Sequence, residues 1–569
     1  MITSASTVDD PRIPPPDMAW RRYQQWILRH TATADDLLRQ RLAVTRLRAR
    51  PVISLVVPVH ETPPEILRQM LASIERQTYP HWQLCLVDDG SADAWIARHL
   101  ERLARRDARV RFRRRPINGG ISAATNDAIG LATGDLVAFV DHDDVFDPRM
   151  LYEVVRRFLD KPDTDIVHFD LDHFRSGGRR AAPVFTPIWS PELLLAVTYI
   201  VHPVVRRTLL DRVGPLRPEY DGAQDYDLIL RLTEATDRIE RIPEVFYHWR
   251  VWPRSASDGG KPYARAARKR VLDAAIARRG LRATCEDQPE KDWFRVRFAI
   301  EGDPLVSVIV PLASLGGDAP DRAPDQLIAS LRRMLATTAY RHVELVLVGP
   351  AGMVDSLSGA NHLDGAGIPM RTVRCESTDE GIAVTHGARE SRGAYLLVLS
   401  PDLEPRETDW LSSLLEYAQQ SPIGVVGGQV FHPNGSVWHA GIVLPQGRPI
   451  PVRQDFLLNP GVHPVVHVAN LSAVSGGCLM TRRAVFDAVG GYRPTARVGF
   501  SDVDYCLRVR AQAHRVVMTP YACLERRNPP SIMFPASGLD AFRAQWPSFV
   551  DPYPSPNHAP DGTFLAAEA

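Results

Sequence analysis

Asp141-His142-Asp143-Asp144 places three carboxylates within four residues. At that spacing they repel one another unless a cation or a donor-rich ligand compensates. Mg²⁺ or Mn²⁺ takes such oxygen ligands and keeps open positions for substrate phosphates; a solvated acidic turn is the plainer alternative. Asp88-Asp89-Gly90-Ser91 offers either a glycine-containing turn or carboxylates that accept from a nucleobase N–H or a ribose hydroxyl. Asp225-Tyr226-Asp227 opens an amphipathic stretch, Leu228–Leu232. One of its carboxylates therefore reads either as a helix N-cap or as a base at the mouth of a cleft. His248, within Phe246-Tyr-His-Trp-Arg250, suits a metal ligand or a packed, hydrogen-bonded ring.

Buried strands must carry these groups. Val52–Val59 is a continuous β-rich apolar run, as in a parallel strand covered on both faces. Thr62-Pro63-Pro64-Glu65 then fits a capping box with prolines in the first turn, ahead of Ile66, Leu67, Met70, Leu71 and Ile74 at helical spacing. Leu84–Val87 runs into Asp88, and Leu136–Val140 runs into Asp141. Strand, helix and strand, with polar residues at the strand ends, predict an α/β fold built on an open, mostly parallel sheet that binds ligands outside its carboxyl ends.

The pattern occurs twice. Val52-Ile-Ser-Leu-Val-Val-Pro-Val59 returns as Leu305-Val-Ser-Val-Ile-Val-Pro-Leu312, and Gly134-Asp-Leu-Val-Ala-Phe-Val140 returns as Gly393-Ala-Tyr-Leu-Leu-Val-Leu399. Asp225-Tyr-Asp227 with Leu230-Arg231 matches Asp502-Val-Asp504 with Leu507-Arg508. The order is kept, so the chain reads as a tandem duplication of one domain. The expected division is a helical extension over residues 1–50, a first domain over 51–285, a linker near 280–304, a second domain over 304–530, and a Pro-rich tail with little regular structure over 531–569.

Composition sets outer limits. The 569 residues are 44% hydrophobic and 24% charged, which fits a globular protein and argues against disorder or a disulfide scaffold. With 68 basic and 67 acidic residues, nothing in the balance points to nucleic acid as partner. The six cysteines show no CxxC or paired metal spacing and read as reduced thiols. Met1–Asp17 has no basic segment followed by an apolar core, and no apolar run approaches the ~18 residues of a spanning helix. A cytoplasmic protein is expected, with any membrane contact peripheral at the cytoplasmic face of the inner membrane.

Taken together and in order, these segments resemble glycosyltransferase family 2, of the GT-A fold. Trp189-Ser-Pro-Glu192, Tyr226-Asp227, Phe246-Tyr-His-Trp249 and Trp438-His-Ala-Gly441 extend the resemblance to a tandem two-domain subgroup found in bacterial surface-polysaccharide pathways. The resemblance implies two tandem GT-A domains, Rossmann-like with mostly parallel sheets. It also implies an inverting, metal-dependent hexosyl- or deoxyhexosyltransferase with a nucleotide-sugar donor, a glycan or lipid-linked glycan acceptor, and Mn²⁺ or Mg²⁺ as cofactor. On that basis Pro58, His60, Glu61, Asp88, Asp89 and Asp141 border the nucleotide and ribose, Asp89 being the candidate for base recognition. Asp143, Asp144 and His248 hold the metal, and Asp225 is the general base. The second copy departs at the polar positions: Gly349-Pro350 replaces Asp88-Asp89, Ser400-Pro401-Asp402 replaces Asp141-His-Asp143, and the His248 position falls at Glu525 or Arg526. Asp402, Glu404 and Asp502 remain as remnants, so donor chemistry is expected in the first domain alone. Two other readings compete. One is a non-catalytic glycan-binding scaffold in a polysaccharide assembly complex. The other is a haloacid-dehalogenase-type phosphatase, which needs Asp141-x-Asp143 on its first strand, whereas here at least two strands precede it.

Overall fold

A computed structural model describes residues 16–175, 178–252, 262–288, 293–312, 324–358, 368–452, 466–494, 500–526, 534 and 536–557. The chain divides into two compact units, the first running to Val296 and the second from Arg297 onward, with Ser555–Asn557 also belonging to the first.

The first unit is built on nine strands: β1 (Ile53–Val59), β2 (Trp82–Asp88), β3 (Val110–Arg114), β4 (Leu136–Phe139), β5 (Val145–Phe146), β6 (Ile166–Arg175), β7 (Arg179–Val184), β8 (Val204–Arg206) and β9 (Ile239–Arg250). Their order is β3-β2-β1-β4-β8-β6-β9-β5, with β7 beside β6. β1 pairs in parallel with both β2 and β4, so the chain reverses its winding direction between β1 and β4. That switch point opens a crevice beyond the carboxyl ends of the two strands. β2 is buried along its whole length and β1 at all but Pro58, which is why both read as uninterrupted apolar runs. Gly134 is required at the entry to β4: a Cβ there would lie 2.5 Å from the Val52 carbonyl oxygen.

The second unit repeats this plan. Beyond the ribbon of β10 (Ala283–Gln288) and β11 (Trp293–Phe298), which begins in the first unit, come β12 (Val306–Pro311), β13 (Val343–Gly349), β14 (Met370–Arg374), β15 (Tyr395–Leu399), β16 (Leu403–Pro405), β17 (Ile423–Phe431) and β18 (Val437–His439). A small ribbon, β19 (Ile442–Val443) and β20 (Ile450–Pro451), precedes β21 (Ala469–Asn470), β22 (Cys478–Arg482) and β23 (Arg515–Arg526). The main order, β14-β13-β12-β15-β22-β17-β23-β16, is that of the first unit position for position. The duplication extends to hydrogen bonds. Ser54 donates to Gln83 and receives the Gly134 N–H; Ser307 donates to Glu344 and receives the Gly393 N–H. The chain is thus an α/β protein with two tandem GT-A-type domains.

Three local expectations change. The helix Pro64–Glu75 has Pro63 at its N-cap and no side-chain cap; Thr62 instead places its hydroxyl 2.9 Å from His142 Nδ1. The expected linker contains the β10–β11 ribbon, although residues 289–292 lie outside the described part. The tail, expected to lack regular structure, forms a helix over Ala536–Gln545. Gln545 and Trp546 then donate to Asp504 at 2.7 and 3.1 Å, an anchor that composition does not reveal. Residues 558–569, including Pro560, lie outside the described residues.

Candidate active site

The crevice beyond β1 and β4 collects most of the expected groups. Past Pro58, at the end of β1, the chain exposes His60 and Glu61. His60 Nε2 lies 2.9 Å from Asn118 Nδ2. Glu61 sits at φ +47° and accepts the Ala92 N–H at 2.7 Å. Asp88 and Asp89 are both buried. Asp88 accepts the Ser91 N–H at 3.0 Å and lies 3.3 Å from Arg114 Nε. Asp89 receives the Gly119 and Gly120 N–H groups, each at 2.9 Å, and lies 2.9 Å from Arg115 Nε. The two carboxylates therefore shape the loops around the crevice, Asp89 by fixing Gly119 and Gly120.

The acidic turn follows β4, and β5 then pairs with β9, setting Val145 opposite His248 and Phe146 opposite Tyr247. Asp141 remains 42% exposed, and its N–H donates to the Tyr247 hydroxyl at 3.3 Å. Asp143 accepts from Trp252 Nε1 at 2.8 Å. Asp144 is fully buried; its Oδ1 receives the Arg250 N–H at 2.6 Å, while its Oδ2 has no hydrogen-bond partner. Burial, reinforced by Asp143 and Asp141, pushes the Asp144 carboxyl well above the usual range.

The imidazole that joins this group is His202, which sequence reasoning did not single out. It sits at φ +50° and stacks on Tyr247 with ring centroids 3.9 Å apart. Its Nε2 lies 3.9 Å from Asp141 Oδ2. Ligand atoms of Asp141, Asp144 and His202 all lie within 4.8 Å of one another. Burial lowers His202 to about 4, with the charges of Asp225 and Asp143 acting in the opposite direction. Those interactions place both carboxylates near the same crevice. His248 points elsewhere. Successive side chains on a strand face opposite ways, and with Tyr247 turned to the crevice His248 turns to Asp172, at 2.7 Å. Asp172 also accepts from Arg180 at 2.6 Å and from the Tyr23 hydroxyl, which ties in the N-terminal helix Pro16–His30. The only signal for His202 in the sequence is a His-Pro pair after an apolar segment, and no spacing rule links it to Asp141.

Asp225 and Asp227 separate sharply. The helix Gln224–Ala235 has no side-chain N-cap. Asp225 is exposed in its first turn, with Oδ1 on the Tyr226 N–H at 2.8 Å. Asp227 is fully buried and held by Arg217 and by Arg231, the latter at 2.9 Å.

Two carboxylates and one imidazole form a donor set that fits a divalent cation of the Mg²⁺ or Mn²⁺ type. No comparable group occurs among the described residues of the second unit. There Asp402 accepts from Ser400 at 2.6 Å and from Arg526 Nε at 2.7 Å, so a guanidinium lies against the surviving carboxylate. Glu404 accepts from Arg333 Nη2 at 2.7 Å. Glu404 pairs with Glu525 as Val145 pairs with His248, which makes Glu525 the counterpart of His248 and Arg526 that of Trp249.

Residues 54–205 and 327–490, one region in each unit, match the family described as glycosyl transferase family 2. Uncharacterized protein y4gI of Sinorhizobium fredii is 36% identical over 493 residues, covering 84% of this chain and 53% of that protein. O-antigen biosynthesis protein RfbC of Myxococcus xanthus is 37% identical over 487 residues, covering 84% of this chain and 37% of that protein. The chain therefore spans about half or less of the length of these curated relatives. Among solved structures, S. aureus TarS 1–349 in complex with UDP-GlcNAc aligns with 20% identity and a TM-score of 0.33, covering 39% of this chain and 66% of that one, too loose a likeness to bear on the site.

Proposed function

The chain belongs to glycosyl transferase family 2, and on that premise we propose that its first unit moves a hexose or deoxyhexose from a nucleotide sugar to a glycan or lipid-linked glycan acceptor, with inversion, during assembly of a bacterial surface polysaccharide. The observation that carries this reading is the meeting of Asp141, Asp144 and His202 at the sheet's switch point, with Asp225 acting on the same His202. Pro58, His60, Glu61, Asp88 and Asp89 border the nucleotide, Asp89 through the Gly119–Gly120 backbone it holds. Asp225 accepts the proton of the acceptor hydroxyl as that oxygen bonds to the anomeric carbon and the bond to the diphosphate breaks on the opposite side. Asp141, Asp144 and His202, with Asp143 beside them, would hold Mn²⁺ or Mg²⁺, which supplies neutralising charge for the departing diphosphate. His248 supports the site indirectly, by fixing Asp172 on the neighbouring strand β6.

No described helix is long and apolar enough to cross a membrane. Trp20, Leu28, Leu38 and Leu42 are exposed on the first two helices among arginines, which supports peripheral contact with an anionic lipid surface where a lipid-linked acceptor resides. The test of the donor reading is a thermal-shift screen of nucleotide sugars with Mn²⁺. A donor at 100 times its dissociation constant adds about 2.7 kcal/mol of stability. Absence of stabilisation by every nucleotide sugar, or stabilisation undiminished in Asp141→Ala, would reject it.

A further inference from the structure

The second unit has not merely lost polar groups; it has gained others around the carboxylate it kept. Asp502 corresponds to Asp225 and likewise holds the next backbone N–H, at 2.8 Å. Helices Ile121–Leu131 and Glu380–Glu390 correspond, so Glu380 stands where the first unit has Ile121. Thr385 donates to the Tyr492 carbonyl as Asn126 donates to that of Leu216, which pairs Tyr492 with Leu216. Arg526 replaces Trp249, and its guanidinium lies 4.9 Å from the centroid of the buried Trp438 ring. Two apolar positions and one aromatic position have thus become a carboxylate, a phenol and a guanidinium.

These groups act on one another. Burial raises Glu380 to about 7, with Asp502 adding to the rise and Arg526 opposing it. Burial raises Asp502 to about 6, against the N–H groups of Gly476 and Val503. Tyr492 is only 3% exposed, its hydroxyl has no hydrogen-bond partner, and among the charges acting on it that of Asp502 is the largest, with Glu380 also contributing. A buried hydroxyl without a partner is costly unless something donates to it or accepts from it.

We propose that this cleft of the second unit binds a neutral glycan segment without a metal ion, through Asp502, Glu380 and the Tyr492 hydroxyl. Sugar hydroxyls both donate and accept, so neighbouring hydroxyls can satisfy the two carboxyls and the phenol together. A nucleotide diphosphate does not fit: Arg526 is neutralised by Asp402, and the remaining carboxylates repel phosphate. Identifying the bound glycan as the acceptor rests on the transfer reaction proposed above; the binding itself does not.

The experiment is saturation-transfer NMR on the full chain in EDTA, with a panel of neutral oligosaccharides ending in glucose, galactose, mannose, rhamnose or N-acetylglucosamine. At least one member should receive saturation. Tyr492→Phe and Glu380→Gln should each weaken its binding about tenfold, the loss expected of a buried hydrogen bond, while Arg105→Ala, a change on the exposed surface of the first unit, leaves it unchanged. Because the free hydroxyl has no partner, Tyr492→Phe should also raise the melting temperature, a result that separates loss of binding from loss of fold. The proposal is overturned if no member binds, if binding requires Mn²⁺, or if both second-unit variants bind as the parent does. Failure of transfer with binding intact would count against the first-unit reading alone.

Discussion

Replacing Asp227 with Ala removes a carboxylate that is fully buried between two guanidiniums. Breaking a buried ion pair by deleting one partner costs about 3–5 kcal/mol, because the other charge stays behind. Here Arg217 is 31% exposed and can turn to water, and Arg231 keeps backbone acceptors at Val213 and Pro215, so the lower end, about 3 kcal/mol, applies. At roughly 2–4 °C per kcal/mol for a unit of this size, the first-unit transition should fall by about 6–12 °C. Asp225→Asn, two residues away, should behave oppositely. The amide oxygen can still accept the Tyr226 N–H, so stability should change by no more than about 0.5 kcal/mol, while transfer should drop by about 10²–10⁴-fold. Scanning calorimetry and a transfer assay on both variants separate the roles. Equal melting shifts for the two, or an Asp225→Asn protein with full activity, would refute the assignment of Asp225 as base and Asp227 as scaffold.

Other outcomes follow from the same geometry. His202→Ala should abolish Mn²⁺ binding measured by paramagnetic resonance, whereas His248→Gln should retain it and lower stability by weakening the Asp172 cluster. Glu380 and Asp502, raised to about 7 and about 6, keep protons that the unfolded chain has released, so their contribution to stability falls as pH rises from about 4 to about 7. Glu380→Gln should therefore raise the second unit's melting temperature at pH 8 and leave it unchanged at pH 4. The chain should bind vesicles containing phosphatidylglycerol at low salt and detach as ionic strength rises, and Leu28→Ser with Leu38→Ser should weaken that binding.

The strands that position the site were legible because a parallel strand covered on both faces leaves an unbroken apolar run. β1, β2 and β4 all show one, and the duplication multiplies the signal. The acidic turn was legible because charge clustering is a local property. Facing was not. Tyr247 and His248 are neighbours on β9, and only the pairing with β5 decides which one meets Asp141. His202 reaches the cluster from a segment before β8 whose backbone at φ +50° no composition rule specifies. Asp225 and Asp227 lie in one helical turn and look alike in sequence; the long-range partner Arg217 is what divides them. In the second unit, lost ligands were visible from alignment of the repeats. The gains at Glu380 and Tyr492 became visible only once the helices and hydrogen bonds paired them with Ile121 and Leu216, and strand register assigns Arg526 to the Trp249 position.

The most direct test of the central claim is product formation by the full chain from a nucleotide-sugar panel, with a lipid-linked glycan acceptor, measured with Mn²⁺, in excess EDTA, and with Asp225→Asn. Transfer that needs Mn²⁺ and collapses in Asp225→Asn, while Asp502→Asn changes it by less than about tenfold, is the predicted result; undiminished product in EDTA or with Asp225→Asn would contradict it.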